Sequence, residues 1–187
     1  VLYHTGYSRA IIAEKSARDL AMLLARQEKE GVQPLDDFHL ADCYYSLKDY
    51  EKAAYHAERA AHDTHQPVGM EQRPYMVWAQ SLMLLGRPGA EVRAVLHEAE
   101  RRYPEAAAFF QLDGVACRRM GDFLAAEQAF LCALSLTAEH PDDDAAARLL
   151  PLTYEHLGEI ALRKGDKETA RALLAEGLRL QPRHVHM

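Results

Sequence analysis

The chain has 187 residues, 49% of them apolar, a formal net charge of −6 and three cysteines. So much apolar surface excludes a disordered chain and is enough for a sizeable core, while the acidic balance, with no basic run, argues against electrostatic nucleic-acid binding. No apolar stretch approaches the ~20 residues of a bilayer crossing, and scattered Cys43, Cys117 and Cys132 lack disulfide-framework or zinc spacing. They read as small buried hydrophobes, so a reducing, cytoplasmic location is expected.

The first eight residues, VLYHTGYS, favour extended structure and lack an initiating Met. From residue 9 to 30 the pattern turns helical, with Ile12, Ser16, Leu20, Leu23 and Leu24 on one face, and GVQP breaks it. This helix, within a linking segment 9–33, is expected to cover the exposed end of the helical region on its C-terminal side.

The remainder, 34–187, repeats itself. The stretches LKDYEKAAYHAERAA (47–61), MGDFLAAEQAFLCAL (120–134) and KGDKETARALLAEGL (164–178) each set an acidic residue after a short break: Asp49, Asp122 or Asp166. An apolar stripe at helical spacing follows each break, and a second amphipathic helix precedes it. In the best copy Tyr154, Leu157, Gly158 and Ala161 mark the first helix, Gly165 the turn, and Ala170, Leu174 and Gly177 the second helix, with Pro182 closing it. Small residues at Gly158 and Ala170 allow two helices to approach closely. The pattern resembles the tetratricopeptide repeat, a helix-turn-helix unit of 34 residues.

Four repeats are expected, at about 34–67, 72–106, 107–140 and 151–184. The first has Lys48 where the turn glycine usually sits, and the second carries one extra residue in its turn, GRPGAEV. HPDDDAAARLLP reads as an insertion before the last repeat, its acids suited to a helix start. The fold class is therefore all-α: a right-handed superhelix of antiparallel helix pairs with a short extended N-terminal segment.

Residues 2–24 resemble the junction in bacterial family 2 glycosyltransferases that carry C-terminal tetratricopeptide repeats. The matching residues are His4, Gly6, Tyr7, Lys15, Arg18, Leu23 and Leu24, with Asp19 in place of the usual Asn. The resemblance implies that 1–8 is the residual end of a missing catalytic domain. That domain would bind a nucleotide sugar and a divalent metal, with His4 near its end. No cofactor is expected in the residues at hand.

Other chemistry is thin. Asp142-Asp143-Asp144 formally matches a metal-binding Asp-x-Asp motif, but it follows His140-Pro141 and leads into AAARLL, so it reads as a helix start. The pairs His62/His65 and His184/His186 lack a third ligand at sensible spacing. No GxSxG, HExxH, P-loop or dinucleotide fingerprint occurs.

In a repeat array the first helix of each unit lines the concave side. That register exposes Phe38, His39, Asp42 and Tyr45, then Met76, Val77, Gln80 and Met83, then Gln111, Arg118 and Arg119, then Glu155, His156, Glu159 and Arg163. Apolar anchors followed by charge suit an extended or helical peptide, although Met76, Val77 and Met83 equally suit core packing. A carboxylate clamp built on Asn is excluded, because the chain has no Asn, and Phe38 and Asp42 occupy its first positions. The expected function is thus a non-catalytic interaction module. It binds an acceptor, a protein partner or a second copy as part of a glycosyltransferase, or acts as a stand-alone peptide-binding adaptor.

Overall fold

The computed structural model describes residues 9–65, 67–141 and 143–180. The extended segment expected at 1–8, with His4, and the tail with Pro182, His184 and His186 lie outside them. The described residues form nine α-helices and no strand. By internal contact the chain forms two compact units, Val1–Val95 and Leu96–Met187.

The first unit holds α1 (Arg9–Glu30), α2 (Asp36–Ser46), α3 (Tyr50–His62), α4 (Arg73–Leu84) and the start of α5 (Gly89–Arg102). Helices α2 and α3 pack as a hairpin, and α3 packs in turn on α4. Ala41, Ala53, Ala57 and Val77 form the core of these contacts, all 2% exposed or less. Alanine at the crossings lets the backbones come close.

The second unit holds the rest of α5, then α6 (Ala107–Met120), α7 (Phe123–Glu139), α8 (Asp144–Arg163) and α9 (Lys167–Leu180). Here α6 pairs with α7 and α8 with α9, while α7 packs on α8. Phe130, Cys117, Ala126, Leu157 and Ile160 form the core. Glycine sets the spacing: a Cβ on Gly114 would stand 2.6 Å from the Phe130 ring, and one on Gly158 would stand 2.7 Å from Leu174.

One turn chemistry recurs. Lys48, Gly86, Gly121 and Gly165 all have positive φ. The next residue donates its N–H back five positions: Asp49 to Tyr44, Arg87 to Leu82, Asp122 to Cys117 and Asp166 to Ala161. This left-handed helix stop satisfies carbonyls that the helix end leaves over. Three of those next residues also start the following helix. Asp49 accepts from the Lys52 N–H, Asp122 from Ala125 and Asp166 from Thr169, at 3.3, 3.0 and 3.0 Å. In the second turn Arg87 stands there instead, and the extra residue, Pro88, accepts from the Val92 N–H that starts α5.

The acids of HPDDDAAARLLP start a helix, as expected: Asp143 accepts from the Ala146 N–H at 3.0 Å and α8 follows at once, running on through Pro151. One expectation needs revision. Helix α1 covers the first pair only in part. Ser16, Leu20 and Leu23 are half-buried, but Ile12 and Leu24 stay about 40% exposed, because α1 packs on α2.

Candidate functional site

The residues expected to face a groove divide by what they touch. In the first unit Phe38 (5% exposed), Val77 and Met83 are buried in the core. His39 is exposed and meets the Phe38 ring edge-on at 5.3 Å. Tyr45, Met76 and Gln80 are half-buried. Burial raises the Tyr45 hydroxyl pKa, against the lowering pull of nearby Arg73. Asp42 accepts from Arg73 Nε at 2.8 Å, an ion pair that ties α2 to the start of α4. Asp42 and Phe38 are thus engaged internally, at the two positions where a carboxylate clamp would need donors.

In the second unit Gln111 is 4% exposed. Its amide nitrogen donates to the Leu149 carbonyl at 2.9 Å and to Thr153 Oγ1 at 2.6 Å. Gln111 therefore holds α6 to the segment of α8 around Pro151, where proline removes a helical donor. Arg118 and Glu159 pair at 2.6 Å across the same two helices. Arg119 and Glu155 are exposed, and Arg163 lies over the Phe123 ring at 4.4 Å. His156 is 7% exposed, lies 5.0 Å from the Phe130 ring and has a buried Nδ1 with no hydrogen-bond partner. Desolvation, then Arg118, hold its pKa below the ordinary value, against the opposing pull of Glu159 and Glu155.

His62 and His65 each engage a different group. His62 turns Nδ1 to the Glu58 carbonyl at 2.8 Å, while His65 lies 3.0 Å from Asp63. Within α2 and α3, Asp37 gathers His56 at 2.7 Å and Arg59 at 2.9 Å, so it locks the first hairpin.

Sequence reading missed two features of α1. One is Asp36, 1% exposed, which accepts from Arg26, from Gln27 Nε2 at 2.8 Å and from the Gln33 N–H at 2.9 Å, and so fixes α1 against α2. The other is an open groove of about 1060 Å³ between α1 and α2. Its signal is a second apolar edge on α1, at Ile11 and Met22, beside the stripe that runs from Ile12 to Leu24.

Residues 152–184 match the tetratricopeptide repeat model. No curated protein matches the chain in sequence. Among solved structures it is similar to MamA, at 12% identity over 96% of both chains with a TM-score of 0.67. It is also similar to YrrB, "a TPR protein with an unusual peptide-binding site", at 16% identity over 91% of this chain and 80% of that one, TM-score 0.64. A third is TTC0263, a thermophilic TPR protein of Thermus thermophilus, at 19% identity over 95% and 93%, TM-score 0.63. At such identities the likeness shows the fold alone: the described residues have an all-helical fold of the tetratricopeptide-repeat type.

Proposed function

We propose that the chain is an interaction module that takes a protein or peptide partner on the exposed faces of its first helices. The carrying observation is the α2–α4 face. There Tyr45 and Met76 keep part of their surface in solvent beside Gln80 and the fixed Asp42–Arg73 pair, while Val77 and Met83 sink into the core. Adaptable sulfur and an aromatic ring beside a fixed charge suit an apolar peptide side chain with a polar neighbour. The peptide-binding site named for YrrB, on the same fold, supports the reading. The second unit adds Arg119, Glu155 and Arg163 on its own first helices.

The test is selection from a displayed peptide library, followed by binding to Met76→Glu and Tyr45→Ala variants. Selected peptides should lose at least tenfold in affinity for each variant; Met76→Glu should leave the melting temperature unchanged, whereas Tyr45 also packs on the Ala41–Val77 core, so Tyr45→Ala should lower it while the chain stays folded. Peptides that bind both variants as tightly as the parent would remove the α2–α4 face from consideration.

A second reading makes the module the C-terminal part of a family 2 glycosyltransferase. The residues in its favour are His4, Gly6, Tyr7, Lys15, Arg18, Leu23 and Leu24. Nucleotide sugar and divalent metal would then bind in the linked catalytic domain, and the repeats would hold an acceptor or a second copy. An antibody against the chain decides it in source cells. A band well above 21.1 kDa, with sugar transfer by the full-length product, supports the linkage. A band near that mass leaves the stand-alone adaptor.

A further inference from the structure

Helix α1 carries one stripe, Ile12, Lys15, Asp19 and Met22, along its open side. Steps of 3, 4 and 3 residues are those of a seam between paired helices. Ile12 and Met22 at its ends are 40% and 66% exposed, and Lys15 between them is exposed. Among the described residues α1 packs on no helix but α2.

The stripe is its own complement. Turning α1 end for end about Ala17 exchanges Ile12 with Met22 and Lys15 with Asp19. Two antiparallel copies therefore set apolar on apolar at the ends and opposite charges on each other at the centre. Two parallel copies would set lysine on lysine and aspartate on aspartate. The contact that Asp19 already makes leaves room for this. Arg18 Nε and Nη2 both donate to Oδ1, at 3.3 and 3.0 Å, so Oδ2 can still take a lysine. That pair joins adjacent side chains 67% and 38% exposed, where an ion pair contributes little.

We propose that α1 pairs, antiparallel, with α1 of a second copy across a two-fold axis near Ala17. Ile12 then meets the partner's Met22 and Lys15 the partner's Asp19, each contact made twice, as an isologous interface requires. A second copy is singled out because both halves of every contact lie on the one stripe. The pairing goes beyond the peptide-binding reading and does not depend on the α2–α4 face. Two apolar contacts and two ion pairs make a small interface, so the dimer is weak and exchangeable, in the micromolar range.

The test is sedimentation equilibrium of the reduced chain over roughly 1–200 μM, which spans a weak self-affinity. The parent should pass from monomer to dimer. Lys15→Glu and Asp19→Lys each set like charges opposite one another at both central crossings, and each should weaken self-association at least tenfold. Mixed in equal amounts, these two variants should form a dimer of parent strength, because every crossing then joins opposite charges. Met22→Glu should also dissociate the dimer. Lys15→Glu and Met22→Glu change exposed side chains and should leave the monomer's melting temperature unchanged. A parent that stays monomeric to about 200 μM would overturn the pairing and leave this side of α1 to another occupant. A dimer that survives both charge reversals would place the contact elsewhere on the chain and overturn the α1 seam. Failure of the mixture to recover would overturn the antiparallel charge pairing. Library peptides that depend on Met76 report the α2–α4 face separately, so either reading can fail without the other.

Discussion

At the scale of single residues, the repeat turns place one side chain in a conformation that its neighbours fill with glycine. Lys48 has φ 65°, where Gly86, Gly121 and Gly165 have 69°, 81° and 82°. An L side chain there carries about 1–3 kcal/mol of strain, partly offset because glycine loses more freedom on folding. Lys48→Gly should therefore stabilise the protein by about 0.5–1 kcal/mol, read as a raised urea midpoint. Gly121→Val should do the opposite, by about 1 kcal/mol or more, although a Cβ there meets nothing within 4 Å. Asp122→Ala removes the cap on α7 and should cost about 1 kcal/mol. Equal stabilities for Lys48→Gly and the parent would sink the strain account.

At the scale of helices, stability in the second unit depends on glycine at the crossings. Gly114→Ala drives a methyl to 2.6 Å from Phe130, which is 0% exposed and has little room to yield. Overpacking of this kind costs about 1–3 kcal/mol. The penalty should shrink in a Phe130→Leu background, and a double-mutant cycle with no coupling would show that the clash is relieved elsewhere. His156 gives the same region a pH dependence. Its folded pKa lies below 6.5, so on acidification the unfolded chain takes the proton first and stability falls from about pH 6.5 downward through the folded value. His156→Leu should flatten the stability curve between pH 7 and 5, because the replacement keeps an apolar contact with Phe130 and has no proton to bind. An unchanged slope would mean that another group carries the titration.

At the scale of the whole molecule, repeat stability is a sum of unit and neighbour terms, so damage stays local. Gly158→Ala should raise hydrogen exchange in α8 and α9 before it does so in α2 and α3, measured residue by residue. Simultaneous loss of protection throughout would mark one cooperative block instead. The same scale governs function. The faces and the α1–α2 groove are assembled from side chains on separate helices, so no local motif announces them.

The repeat itself was legible in the chain, because each of its marks has a local cause. Asp49, Asp122 and Asp166 cap the helix that follows them, Gly86, Gly121 and Gly165 supply the positive φ, and the alanine and glycine stripes fall at helical spacing. Tertiary packing decided the rest. Asp42, Gln111, Arg118 and Glu159 look like ligand-facing polar residues in a helical projection, yet each is engaged with a residue 31 to 42 positions away. Such partners are set by how helices cross, not by spacing along one helix. Likewise the apolar residues of α1 can be read in projection, but only its packing on α2 decides which of them stay in solvent, because a helix with one neighbour buries one side.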